Sequence, residues 1–330
     1  MVTRRRVVLV LGVTAFAAPL TCFAQPQPVK SALPVIGLLS GTRLDDREIS
    51  AVRQGLKETG YTEGHNVVIE YRSAEGQYDR LPTLAADLVH RQVAVIIAIG
   101  GTVTALAAKA ATPTIPVVFA TAGDPVKLGL VSVLSRPGGN LTGATFLATG
   151  LGAKRLQLLR ELLPTATAIG FLVNPANPNL ASETKEVQAA ARMLGQQIHV
   201  QNASDEREID AAFARFAEQR ANALIVAADA IFTSRREQLV ALATRHAMPA
   251  IYALPEFVAA GGLASYGASR VEAFHLVGNY TSEILKGKKP TELPVQQSMK
   301  VELVINLKTA KALGIKVPRT ILIRADEVIE

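Results

Sequence analysis

The sequence predicts an α/β protein with two lobes, each built on a parallel sheet, and with several strands forming the hinge between them. Short β-rich apolar runs alternate with amphipathic stretches from Pro34 onward, which is typical of βαβ units. Four or five such units precede about residue 145 and four follow it. The chain has 330 residues, 49% of them hydrophobic, which is enough for two ordinary domains. We therefore expect two similar Rossmann-like halves rather than one long sheet.

The apolar runs give the predicted strands, and the stretches between them give the predicted helices. The strands are Val35–Ser40, Val67–Tyr71, Ala94–Gly100, Val117–Ala120, Ile169–Asn174, Ile198–Val200, Ala223–Ala227 and Ala250–Tyr252. The helices have apolar residues three or four positions apart, namely Ile49, Val52 and Leu56; Leu81, Leu84 and Leu88; Val187, Ala190 and Leu194; and Ile209, Phe213 and Phe216. Each helix therefore has one face to bury.

Near the C-terminus the alternation changes, which predicts how the lobes are connected. A last helix over 271–285 follows a glycine-rich segment, and it can pack back onto the first lobe. Crossovers near Thr145, Gly267 and Pro290 would then give a three-stranded hinge. We expect residues 33–144 with 268–289 to form the N-terminal lobe, and residues 145–267 with 290–330 to form the C-terminal lobe.

Residues 1–24 have the features of a secretory signal peptide. Arg4, Arg5 and Arg6 precede an apolar run over 7–20, and a small-residue cleavage pattern ends at Ala24. The run is shorter than the roughly 20 residues that a spanning helix needs. We expect cleavage and a periplasmic protein, while the arginine triplet leaves Sec and twin-arginine export both open. Cys22 is the only cysteine, so we expect no disulfide or thiolate site in the mature chain.

Composition and motifs argue against several other classes of protein. The formal charge is +7, of which the three N-terminal arginines contribute three, and the basic residues are dispersed, so we expect no nucleic-acid partner. The sequence contains no dinucleotide fingerprint, P-loop, Gly-x-Ser-x-Gly elbow or zinc-binding helix motif. We therefore expect no cofactor, no metal and no catalytic activity.

In open α/β sheets, ligands bind beyond the carboxyl ends of the strands, so polar residues there are candidates for a binding site. Gly101 and Thr102 follow one predicted strand, and helix N–H groups beside two glycines can hold a carboxylate. A tight turn with Thr102 as helix cap is the alternative. The other candidates are Ser40, Gly41, Thr42, Thr121, Asp124, Asn174, Asn177, Asp229 and Tyr252.

Three of these candidates could contact particular groups of a ligand. Asp124 or Asp229 could pair with an amino group, although either could instead cap a helix. Tyr252 could stack on a planar ligand or donate a hydrogen bond, but a tyrosine at a strand end is often a core residue. These alternatives stay open at the level of sequence.

Several segments resemble the ABC transporter substrate-binding family related to the TrpX-type aromatic amino acid binders. They are the stretches over 55–89, 114–131, 135–143, 172–179 and 188–195, together with Val301–Asn306. The resemblance implies a type I periplasmic binding protein fold, with a small-molecule ligand between the lobes. It places Ser40, Gly101, Thr102, Thr121 and Asp124 on one face of the cleft, and Asn174, Asn177, Asp229 and Tyr252 on the other. Ala230 departs from the tryptophan-binding pattern, and the chain has no tryptophan.

The expected function is therefore that of a solute-binding component of an ABC importer. The ligand would be an amino acid or an aromatic or carboxylate compound. The expected partners are an ABC permease and its ATPase, with contact to the membrane only through the permease, and the expected state is a monomer. The alternatives are a binding protein that presents its ligand to a receptor, and a periplasmic enzyme that uses the same cleft.

Overall fold

The computed structural model describes residues 33–146, 148–268, 270–297 and 300–330, and its strands form two sheets. The first sheet is parallel throughout. From edge to edge it contains β11 (Gln296–Gln297), β5 (Leu141–Thr145), β4 (Val117–Thr121), β3 (Val95–Ile99), β1 (Val35–Ser40) and β2 (Val68–Ser73).

The second sheet is parallel except for one antiparallel pair. It contains β13 (Glu327–Ile329), β12 (Val301–Asn306), β10 (Ala264–Ala268), β9 (Ala250–Tyr252), β8 (Ala223–Val226), β6 (Ala168–Val173) and β7 (Gln197–Asn202). The antiparallel pair is β10 with β12. The predicted fold class, an α/β protein with two parallel-dominated sheets, is thereby confirmed.

Helices cover the two sheets and define two lobes. The N-terminal lobe consists of the first sheet with α1 (Asp46–Glu58), α2 (Leu81–His90), α3 (Thr102–Ala111) and α10 (Arg270–Leu285). The C-terminal lobe consists of the second sheet with α4 (Gly152–Leu162), α5 (Leu180–Leu194), α6 (Glu206–Glu218), α7 (Ala230–Ser234), α8 (Arg236–Arg245), α9 (Pro255–Ala259), α11 (Leu307–Ala312) and α12 (Arg319–Arg324). Strands between helices lose contact with water on both faces, and every residue of β3 is buried.

The two lobes are interwoven, because the chain passes between the sheets three times. It leaves the first sheet after β5, returns to it after β10, and leaves it again after β11. The returning helix α10 lies along α1, where Gly55 and Gly278 allow close approach of the two backbones. The third passage occurs later than the predicted crossover near Pro290.

The difference at the third passage has a clear physical cause. Thr142 in β5 donates a hydrogen bond of 2.6 Å to the carbonyl of Leu293, and β11 then pairs with β5. Residues 290–297 therefore lie on the edge of the first sheet, whereas we expected them in the C-terminal lobe. The rest of the predicted division into lobes, at 144–145 and 267–268, stays a proposal.

The expectations of a signal peptide and of no membrane-spanning helix concern different parts of the chain. In the described ranges, no helix combines the length and the apolar character needed to span a bilayer. The predicted signal peptide, residues 1–24, lies outside the described residues.

Candidate ligand-binding site

A cavity lies where the carboxyl ends of strands from both sheets face each other. It contains about 580 Å³ of space free of protein atoms, its mouth included. The lining residues come from both lobes and are Tyr78, Gly100, Gly101, Thr102, Val103, Ala120, Ala122, Phe146, Ala148, Asn177, Pro178, Ala228, Asp229, Ala230, Thr233, Leu254, Arg270 and Phe274.

The wall from the N-terminal lobe is the turn between β3 and α3. Gly100 and Gly101 have φ values of +74° and +124°, which L side chains rarely adopt, so the glycines allow this turn. Gly101 caps α3 without a side-chain hydrogen bond, so the first N–H groups of the helix have no intrahelical acceptor. The interpretation of Thr102 as the helix cap is wrong. Its hydroxyl lies instead 2.8 Å from that of Thr121.

The wall from the C-terminal lobe is centred on Asp229, which follows β8 and caps α7. Its Oδ1 accepts hydrogen bonds from Asn174 Nδ2 at 3.1 Å and from the backbone N–H of Ile231 at 2.8 Å. Its Oδ2 accepts one from Asn177 Nδ2 at 2.9 Å. Asn174 and Asn177 follow β6, so the parallel pairing of β6 with β8 brings the three side chains together. The capping role and the place in the cavity are therefore compatible.

Asp229 has the perturbed electrostatics of a buried carboxylate. Burial raises the pKa of Asp229 to about 6, although the hydrogen bonds from Asn174, Ile231 and Asn177 oppose the shift. Burial and the nearby charge of Asp229 also raise the pKa of Tyr78, whose hydroxyl stays protonated. Within the described ranges, no ion pair joins Asp229 to a cationic side chain. A cation in the cavity would therefore stabilise the carboxylate.

The lobes touch each other around the cavity, so the structure is a closed form. Asn179 Nδ2 donates a hydrogen bond of 3.1 Å to Thr102 Oγ1 across the cleft. A Cβ atom on Gly123 would overlap Oδ1 of Asn179. On another side, a Cβ on Gly101 would lie 3.5 Å from Tyr78 Oη and 3.6 Å from the Cβ of Ala230.

The structure brings together some of the predicted site residues and separates others. Gly101, Thr102, Asn177 and Asp229 line the cavity. Asn174 and Thr121 lie directly behind them, bonded to Asp229 and Thr102. These positions are compatible with the predicted roles.

The other predicted site residues do not line this cavity. Ser40 donates to the carbonyl of Thr42, and the turn over 40–42 packs beside Gly100 rather than on the cavity surface. Asp124 accepts hydrogen bonds from the N–H groups of Val126 and Lys127. Tyr252 is buried in the C-terminal lobe, stacked on Phe257 with ring centroids 4.5 Å apart.

Several lining residues were not predicted from sequence. Tyr78 belongs to a short 3₁₀ turn after β2, and Phe146, Arg270 and Phe274 lie next to the crossovers between lobes. None of these residues lies at the end of a predicted strand, and Phe146 follows β5, which was not predicted. No group of His, Cys, Asp and Glu side chains within the described residues has the arrangement of a metal site.

A cavity between two interwoven α/β lobes, with a charged group and an open helix end on opposite walls, defines a two-lobed solute-binding protein. A family model described as ABC transporter substrate binding protein matches residues 33–329. The chain belongs to this family.

Known proteins of the same kind are similar over most of the chain. A tyrosine-binding protein of Clostridioides difficile is 28% identical over 264 residues, which cover 80% of this chain and 75% of the relative. The crystal structure of a conserved domain protein from Vibrio cholerae is 30% identical, with a TM-score of 0.81, over 90% of this chain and 100% of that one. An ABC domain from Streptococcus pneumoniae in complex with L-Trp is 27% identical, with the same TM-score and coverage.

Proposed function

We propose that this protein binds a free amino acid, as the zwitterion, in the cavity between its lobes. The carrying observation is Asp229, a carboxylate on the cavity wall without a cationic partner among the described residues. A ligand ammonium group would provide that partner. Opposite it, the open N-terminus of α3 at Gly101 suits the ligand carboxylate. The L-Trp complex and the tyrosine-binding relative support the same ligand class.

The lining also indicates what the ligand's side chain contacts. Between Asp229 and the N-terminus of α3, the cavity wall is largely apolar. Its largest apolar side chains are Phe146, Leu254 and Phe274. An apolar or aromatic amino acid fits this lining better than a charged one, because burying an unpaired charge is costly.

The proposal extends to transport. The family description supports an ABC transporter context. The proposed partners of the ligand-bound protein are an ABC permease and its ATPase, and the proposed state is a monomer in the periplasm after export. Closure over the ligand would be the state that the permease recognises, because a ligand that touches both lobes favours the closed form.

The test is calorimetric titration of purified protein with the natural L-amino acids, including L-tyrosine and L-tryptophan. For the amino acid that binds, the analogue without its amino group should bind about 100-fold more weakly, since charge-assisted hydrogen bonds contribute about 1.5–3 kcal/mol. Asp229→Asn should lose affinity similarly, while the matched control Asp124→Asn should not. Equal affinity for an amino acid and its deaminated analogue would contradict the proposal.

A further inference from the structure

Arg270 connects residues from three helices at the wall of the cavity. It is the first residue of α10 and is 92% buried, with a side-chain exposure of 8%. Nη1 lies 2.7 Å from Oε1 of Glu48 in α1, and Nη2 lies 2.9 Å from Oε1 of Glu256 in α9. The guanidinium carbon lies 6.0 Å from the ring centroid of Phe274, which also lines the cavity.

The two ion pairs differ in which lobes they connect. Both α1 and α10 pack in the N-terminal lobe, so the pair with Glu48 lies within that lobe. Helix α9 packs on β10 and β12, so the pair with Glu256 joins the N-terminal lobe to the C-terminal lobe. Opening of the cleft would separate Arg270 from Glu256 and leave its pair with Glu48 in place.

The arrangement suits a contact that exists only in the closed form. A planar guanidinium can bind two carboxylates at once, which a lysine at the same position could not do as well. Removing Glu256 would leave Arg270 with one partner, as in an open cleft. A contact that one of two states has and the other lacks shifts the equilibrium towards the first, whether or not a ligand is present.

We propose that Arg270 and Glu256 form an ionic latch that holds the two lobes closed independently of the ligand's charged groups. The latch makes Arg270 and Glu256 positioning residues for binding, since they stabilise the closed form around the ligand. It goes beyond the amino acid proposal, because it predicts that part of the ligand-free protein is already closed.

The test measures the distance between the lobes in the ligand-free protein. Spin labels at Gln54→Cys on α1 and Ala241→Cys on α8, in a Cys22→Ser background, place one exposed label on each lobe. Electron-electron double resonance should give two distances in the otherwise unaltered protein. Glu256→Gln should decrease the ratio of closed to open molecules about tenfold, because the neutral amide cannot form the charge-assisted hydrogen bond with Arg270.

Two further variants make the result specific. Glu161→Gln removes an ion pair that lies within the C-terminal lobe, between α4 and Arg324 of α12, so the distance distribution should be unchanged. Arg270→Lys keeps one charge and should lower the closed fraction, which provides a second test if Glu256→Gln does not fold. Identical distributions for the unaltered protein, Glu256→Gln and Arg270→Lys would overturn the latch.

The latch and the proposed ligand class are tested separately by repeating the distance measurement with L-tyrosine and L-tryptophan, and then with the other natural amino acids. If the latch variants shift the ligand-free distribution but no amino acid closes the protein, the latch stands and the proposed ligand class fails. If an amino acid closes the protein but the variants change nothing without ligand, the ligand class stands and the latch fails.

Discussion

Asp229 illustrates how a candidate binding residue can be recognised from a buried charge that has no cationic partner among the described residues. Three hydrogen bonds hold the carboxylate in place, yet burial still raises its pKa to about 6. Because the folded pKa lies above the usual value, Asp229 binds a proton more tightly in the folded protein than in the unfolded chain. Its contribution to stability is therefore greatest at low pH and declines as the pH rises from about 4 to about 6.

Ligand binding should have the opposite pH dependence. In the proposed complex the ligand's ammonium group contacts the ionised carboxylate, so affinity should fall about tenfold between pH 7 and pH 5, as Asp229 takes up a proton. Calorimetric titration at half-unit pH intervals measures this. Asp229→Asn should bind weakly at every pH, and a flat profile in the unaltered protein would contradict the assignment of Asp229 to the ligand's amino group.

Arg155 and Glu183 form a second buried charged pair, behind the site. Arg155 Nη2 lies 2.7 Å from Glu183 Oε1, and its Nη1 donates to the carbonyls of Ala148 and Tyr266 on the two crossover segments. Glu183 in turn accepts a hydrogen bond from the backbone of Ala228 beside Asp229. Burial is the main reason that the pKa of Glu183 is raised, so this carboxylate depends on its partner to stay charged.

Removing that partner should destabilise the fold. Arg155→Met should lower the free energy of unfolding by about 3–5 kcal/mol at pH 8, because a buried charge loses its partner. The loss should be smaller at pH 5, where Glu183 can take up a proton. Urea denaturation measures both values. Arg324→Met, which removes a partly exposed pair with Glu161, should cost only about 0–1 kcal/mol, and equal losses in the two variants would contradict this account.

At this scale the sequence predicted several of the lining residues that follow strands, and it missed those that follow turns or crossovers. Asp229, Asn177 and Gly101 were found because the position of a strand end can be read from an apolar run. Tyr78 and Arg270 carry no such local signal. Their place in the cavity depends on how α10 returns to the first sheet and how the lobes close, both of which are long-range properties.

Among the elements, the eight strands with a predicted apolar run are present, whereas β12 was missed although its sequence VELVIN is apolar, and β5 and β10 were missed because their patterns are weak. All eight predicted strands are present with ends within two residues, and Val35–Ser40 and Ala250–Tyr252 match fully. By contrast, β5 and β10 have the sequences LTGAT and ASYGA, which lack the apolar run of a buried strand. Their neighbours in the sheet, rather than their own residues, determine their conformation.

The close approach of Gly123 to the N-terminal end of α5 gives a prediction at the scale of elements. A methyl group on Gly123 would overlap Asn179 Oδ1, so Gly123→Ala should hinder closure and weaken ligand binding about tenfold or more. The additional change Asn179→Ala should recover part of the affinity. Gly150→Ala is a matched control, since a Cβ there meets no atom within 4 Å. Unchanged affinity in Gly123→Ala would show that closure does not bring these elements together.

For the whole molecule, ligand binding and stability should be linked. A ligand that binds only the folded protein, at 100 times its dissociation constant, should raise the free energy of unfolding by about 2.7 kcal/mol. Thermal unfolding with increasing concentrations of the bound amino acid measures this. Asp229→Asn should show a much smaller increase at the same concentrations. An equal increase would place the ligand elsewhere than in the cavity.

The three passages of the chain between sheets also affect how the protein is made. The edge of the first sheet is completed by β11, which is about 150 residues further along the chain than its partner β5. A nascent chain therefore cannot finish its N-terminal lobe until most of the C-terminal lobe has been synthesised. Such a polypeptide stays incompletely folded for nearly the whole of translation, a condition suited to translocation in an extended state.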